Sequence, residues 1–130
     1  MAEYLPIRKP GNALVATASG TITGGQMVAV SGVGTVAVAG ATALNWLGVA
    51  AFDAVSGDQV TIFCDGVQEL TASGTVTAGD LVVCAATGQV STLAAVTTPT
   101  PADVTGARAL VGVALTTASN GNKVRVKFSR

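Results

Sequence analysis

The sequence predicts an all-β domain, a compact barrel or sandwich built from two duplicated halves and preceded by an extended N-terminal arm. Three observations carry that reading. Apolar residues alternate with small or polar ones, the period of two of a half-buried strand. Glycine-rich turn signals recur about every eight to twelve residues, the spacing of sandwiches and barrels. A block of the first half returns in the second at a fixed distance, and nowhere do apolar positions hold a helical period over eleven residues.

From the N-terminus, Met1 to Asn12 reads as the arm. It holds Pro6 and Pro10, the adjacent cations Arg8 and Lys9, and the apolar groups Tyr4, Leu5 and Ile7. The prolines favour an extended path. Residues 13–130 then read as a single β domain, with internal repeats over about 14–64 and 68–128. Thr17-Ala18-Ser19-Gly20-Thr21-Ile22-Thr23-Gly24-Gly25-Gln26-Met27-Val28 recurs as Thr71-Ala72-Ser73-Gly74-Thr75-Val76-Thr77-Ala78-Gly79-Asp80-Leu81-Val82. Extended to Val36 and Val90, the frame gives ten identities in twenty positions at an offset of 54. A second block follows in each half. Leu47-Gly48-Val49-Ala50 leads through Ser56-Gly57-Asp58 into Val60-Thr61-Ile62-Phe63. Val111-Gly112-Val113-Ala114 leads through Asn120-Gly121-Asn122 into Val124-Arg125-Val126-Lys127-Phe128. Two copies make a pseudo-symmetric domain, since a solenoid needs at least three.

Strands are expected over Gln26–Val30, Thr35–Val38 and Lys123–Phe128, where the alternation is cleanest. Gly24-Gly25, Gly32-Val33-Gly34, Ser56-Gly57-Asp58, Thr87-Gly88 and Asn120-Gly121-Asn122 mark turns. Asp65-Gly66, between Val60–Cys64 and Val67–Leu70, reads as a two-residue hairpin turn. One helix of a turn or two is expected after Thr100-Pro101, with Thr as cap and Pro at the first helical position. Ala94 to Arg108, longer than its counterpart Ala39 to Trp46, reads as a surface loop.

Composition narrows the chemistry. Charged residues are 11% of the 130, against roughly 25% in an average domain, and seven Lys/Arg balance seven Asp/Glu. No global field draws nucleic acid or an anionic membrane, and a surface so poor in charge tends to associate. The absence of histidine removes the commonest general base, the Ser-His and Cys-His pairs and most zinc sites. Cys64 and Cys84 are too far apart for a CxxC motif and read as two reduced thiols in strands or as one disulfide. Met1 to Pro6 lacks the apolar run of a signal peptide, and the stretch Ala43–Phe52 is too interrupted to span a bilayer. Synthesis in a cytoplasm is the expectation.

No candidate site reads as catalytic, cofactor-binding or metal-binding. Gly32-Val33-Gly34-Thr35-Val36-Ala37 fits the loose GxGxxA pattern, but alternation after it reads as a strand, so a hairpin turn explains it. Glu3, Asp53, Asp58, Asp65, Glu69, Asp80 and Asp103 are scattered, mostly beside turn glycines, where a short acid bonds backbone. Thr21-x-Thr23 and Thr75-x-Thr77 are two copies only, too few for an ice-binding ladder. Trp46 and Tyr4 read as packing anchors. Lys123, Arg125 and Lys127 share one face of the last strand, with Arg130 just past it. They protect an edge, face solvent, or meet an acidic partner.

The arm Ala2-Glu3-Tyr4-Leu5-Pro6-Ile7-x-Lys9-Pro10-Gly11, the Gly24-Gly25-Gln26-x-Val28-Ala29-Val30 strand and Trp46-Leu47-Gly48-Val49-Ala50-Ala51-Phe52-Asp53 resemble tailed-phage capsid decoration, or cement, proteins. So do Val67-Gln68-Glu69-Leu70, Ala78-Gly79-Asp80 and Gly112-Val113-Ala114. The group in question is a small all-β family once known only as a domain of unknown function. More distantly the pattern is similar to β-clip or β-tulip domains, which include the lambda-type head decoration protein and SAF domains. The resemblance implies a non-enzymatic protein without cofactors, usually a homotrimer, on the outer surface of the virion capsid. There it clamps neighbouring major capsid protein subunits. Given that setting, the composition of the arm leads to the expectation that Tyr4, Leu5, Pro6, Ile7, Arg8, Lys9 and Pro10 run over an adjacent capsid subunit, with Arg8 and Lys9 meeting acidic groups there. The partner contact left open above for Lys123, Arg125 and Lys127 would be made in the same setting. No nucleic acid or membrane partner is expected. The alternatives are a phage fibre or adhesin base, or a SAF-like carbohydrate-binding module.

Overall fold

The computed structural model describes residues 13–129. Five strands, β1 (Ala13–Ala18), β2 (Met27–Gly32), β3 (Thr35–Val38), β4 (Trp46–Ala50) and β5 (Gln59–Phe63), close into a barrel in the order β1-β3-β2-β4-β5. Five more, β6 (Val67–Thr71), β7 (Leu81–Cys84), β8 (Val90–Thr92), β9 (Leu110–Ala114) and β10 (Lys123–Phe128), form a sheet in the order β6-β10-β9-β7-β8.

The two orders are the same order. Each pairing of the first half has its counterpart in the second: β1·β5 with β6·β10, β2·β3 with β7·β8, β2·β4 with β7·β9, and β4·β5 with β9·β10, all antiparallel. The parallel closure Ala18↔Val36 returns as the bridge Ala72↔Val90. A register shift after Val28 in β2·β4 returns after Val82 in β7·β9, so even the irregularity that bends the strand is shared. The turns repeat as well. Thr23 N donates to Gln26 Oε1 at 2.8 Å, and Thr77 N donates to Asp80 Oδ2 at 3.0 Å. An amide and a carboxylate make the same turn.

Burial follows the alternation. In β10, Val124, Val126 and Phe128 point inward while Lys123, Arg125 and Lys127 point out. One core cluster belongs to the first barrel: Ile22, Val28, Val36, Val60 and Ile62 with neighbouring alanines. The other is built on Leu70, Val76, Val82, Val111, Val124 and Val126, and it also takes Met27, Trp46 and Val49 from the first half. Trp46 packs edge-to-face on Phe128, ring centroids 5.3 Å apart at 67°. Backbone bonds seal the joint: Gly88 N donates to Ala39 O and Thr42 N to Cys84 O. Gly88 sits at φ +72 with an imagined Cβ only 2.7 Å from the Gln26 side chain, so this seam accepts glycine and little else.

Two expectations change and one holds. Asp65-Gly66 does not close a hairpin. β5 pairs with β1 and β4, and β6 pairs with β10, so the dipeptide carries the chain from one half to the other. Gly66 has the positive φ a turn needs, but both flanking strands already have partners. The helix expected after Thr100-Pro101 is present as α1 (Pro101–Arg108), and it takes up the second part of the 94–108 segment read as loop. Thr100 and Asp103 form a capping box there, with Pro101 opening the helix. Lastly, Cys64 lies one residue beyond β5 and so outside a strand, while Cys84 ends β7; neither is in a disulfide.

Candidate interaction surface

The outward rows of β6 and β10 form the most charged face among the described residues. Arg125 stands opposite Glu69, with Nε donating to Oε1 at 3.2 Å. Lys123 stands opposite Thr71 and donates from Nζ to its Oγ1 at 3.0 Å. Lys127 faces Val67 on one side and Val113 on the other, with no carboxylate in register. β10 lies between β6 and β9, so its cations do not guard an edge. That reading falls because both backbone edges of the strand are already paired. What remains is a solvated cationic face or a partner contact.

The same positions in the first half are uncharged. Val15, Thr61 and Phe63 stand where the second half has Glu69, Arg125 and Lys127, and Val15 and Phe63 are exposed. This face was not singled out by local motifs. The signal that finds it is a position-by-position comparison of the two repeats.

The described aspartates all accept backbone N–H groups, in turns, between turns or at a helix cap. Asp53 Oδ1 accepts from Gly24 N at 2.8 Å, Asp58 Oδ2 from Val55 N at 3.1 Å, and Asp65 Oδ1 from Gly66 N at 2.7 Å. Asp80 Oδ2 accepts from Thr77 N and from the Thr92 hydroxyl, and Asp103 Oδ2 from Thr100 N. Among the described residues no three acids, cysteines or histidines gather around a metal-sized space. Gly32-Val33-Gly34 tops the β2–β3 hairpin and opens no helix.

A groove of about 430 Å³ opens where the chain enters β1 and leaves β10, lined by Leu14, Trp46, Leu47, Cys64, Asp65, Phe128 and Ser129. Cys64 donates to Ile62 O at 3.6 Å there. Burial, and then the neighbouring Asp65 charge, push its thiol above the usual cysteine range. Both causes favour the protonated thiol over the thiolate. The arm residues Tyr4, Leu5, Pro6, Ile7, Arg8, Lys9 and Pro10 lie outside the described residues, as does Arg130. No helix among the described residues is long and apolar enough to cross a membrane.

The fold defines a class: all-β domains of two like halves, also seen in "The crystal structure of head fiber gp8.5 N base in bacteriophage phi29". That likeness has a TM-score of 0.65 at 19% identity and covers 90% of this chain and 92% of the other. No curated protein matches. The family model described as phage cement protein matches residues 8–129, and the chain belongs to that family. It is a capsid-associated structural protein of a phage virion.

Proposed function

We propose that this protein is a non-enzymatic decoration protein that binds the outer surface of the mature head as a homotrimer and stabilises contacts between major capsid protein subunits. Its membership of the cement family over residues 8–129 is the observation that carries the reading. The residues fit such work. The halves share the second core, where Trp46 packs on Phe128, and each described aspartate accepts a backbone N–H in a turn, between turns or at the helix cap.

The arm supplies the grip. Tyr4 to Pro10 runs over an adjacent capsid subunit, adding main-chain hydrogen bonds along a sheet edge while Arg8 and Lys9 meet acidic groups. Each contact is weak, and repetition around the shell sums them. The test is co-sedimentation of full-length protein and a form lacking residues 1–12 with expanded, undecorated shells. Saturable binding at lattice stoichiometry by the full chain, lost on truncation with the β fold intact, is the expected result. Equal binding by both forms refutes the role of the arm, and no binding by either refutes the decoration reading.

The fold shared with a head fibre base favours a second reading, a base that seats a fibre on the head. Copy number on the virion separates them: hundreds for a lattice cement, few for a fibre.

A further inference from the structure

The two halves share one backbone plan, but their surfaces differ in charge. Residues 13–64 contain no Lys or Arg and two carboxylates, Asp53 and Asp58. All four cations among the described residues, Arg108, Lys123, Arg125 and Lys127, lie in the second half, three of them on one face of β10. Gln59, Thr61 and Phe63 stand at the equivalent positions of β5. The turns before these strands diverge in the opposite sense. Phe52-Asp53-Ala54-Val55-Ser56-Gly57-Asp58 carries both acids and the exposed side chains Phe52 and Val55. Its counterpart, Thr116-Thr117-Ala118-Ser119-Asn120-Gly121-Asn122, has no charge and no large apolar group.

The backbone does not demand this split, since one plan folds with either set. The acidic turn also borders the uncharged face: Asp58 O accepts from Ala18 N at the end of β1, and Gln59 opens β5. One chain thus carries an apolar face with an acidic rim and a cationic face with exposed Val67 and Leu115 beside it.

We infer that these two surfaces meet between copies of this chain, head to tail. The β1·β5 face and the Phe52–Asp58 turn of one copy seat on the β6·β10 face of the next. Asp53 and Asp58 then lie against the Lys123 and Lys127 rows, with Val15, Phe63, Phe52 and Val55 inside the contact. Charge at the rim around an apolar centre is the usual build of a specific interface. Two different patches make the contact heterologous, which closes into a ring when the rotation allows. The inference names the copy-to-copy contact of the homo-oligomer proposed above and rests on that part of the reading, not on shell binding.

The test is sedimentation equilibrium of the full chain at about 0.05 M and about 0.5 M salt, a range across which surface charges become screened. Association is expected to weaken at high salt. Lys123→Glu with Lys127→Glu, which leaves the Arg125–Glu69 pair intact, is expected to weaken it about tenfold or more. Val55→Lys with Ser56→Lys, at exposed turn positions where the bonds to Asp58 run through the Val55 backbone and not through either side chain, is expected to do the same. All four changes in one chain set the two new turn lysines against the two new strand glutamates, and association is expected to recover in part relative to either pair alone. Circular dichroism checks the fold of each variant, and the turn variant alone carries the test if the strand variant unfolds. A monomeric wild type, single-patch variants that associate normally, or a quadruple variant that stays apart while folded overturns the inference. Shell co-sedimentation of the wild type is read separately: its failure sinks the decoration reading and leaves this contact standing.

Discussion

Arg125 and Glu69 form an ion pair, Nε to Oε1 at 3.2 Å, at the cross-strand position that Thr61 and Val15 occupy in the other half. One site in a duplicated backbone therefore holds an ion pair in one copy and an uncharged pair in the other. Both charged side chains are mostly exposed, at 63% and 58%. Solvent screening leaves such a pair worth at most about 1 kcal/mol. Replacing it with the other half's residues, Glu69→Val with Arg125→Thr, is expected to change unfolding free energy by less than that. Urea unfolding followed by fluorescence of Trp46, the one tryptophan, measures the change; a loss of several kcal/mol would mean the pair is structural.

A different pair of equivalents is intolerant. Gly48 in β4 lies under the Phe63 carbonyl, and Gly112 in β9 lies under the Lys127 carbonyl; a Cβ at either position would run into that oxygen. The obstacle is backbone in a paired strand, so it cannot swing aside. Gly48→Ala and Gly112→Ala are each expected to cost about 3 kcal/mol, the upper part of the overpacking range. Thermal melts compare them with Gly20→Ala, where nothing lies within 4 Å. Equal melts for all three would show that the strands separate freely.

Those glycines show what was legible beforehand. Leu47-Gly48-Val49-Ala50 and Val111-Gly112-Val113-Ala114 stood out as a repeated block, and the block marks the place where two strands come closest. The alternation in β10 and the Thr100-Pro101 helix start were local signals, carried by a few adjacent residues. Strand partnership was not local. Glu69 and Arg125 are 56 residues apart, and nothing near either says they meet. Asp65-Gly66 misled for the same reason, because turn chemistry reports the turn and not which strands pair across it. The charge difference between Gln59, Thr61, Phe63 and Lys123, Arg125, Lys127 was present in the sequence, but it acquires meaning only when these equivalent positions are known to face outward.

Trp46 belongs by chain position to the first barrel and by contact to the second core. It is 4% exposed and meets Phe128 edge-to-face. Trp46→Ala is expected to cost about 3–5 kcal/mol, as large-to-small changes in a core do. If the halves fold as one unit, circular dichroism gives a single transition at lower temperature. Two separated transitions would show that the Trp46–Phe128 joint is what makes them cooperative.

Cys64 reports on the groove beside that joint. Burial, then the Asp65 charge, raise its pKa above the ordinary cysteine value, so the folded protein holds the thiol proton to higher pH than the unfolded chain does. The sign follows. The contribution is full below the unfolded pKa, and it is lost as the pH climbs from there through the folded value. Iodoacetamide labelling near pH 8 is therefore expected to be slower at Cys64 than at a free thiol, since only the thiolate attacks. Asp65→Asn removes the smaller of the two causes and should speed labelling modestly, leaving the burial contribution in place. Buried Cys84 stays unlabelled until the protein unfolds. Labelling of Cys64 at the free-thiol rate would mean that the groove stands open to water and that neither cause acts.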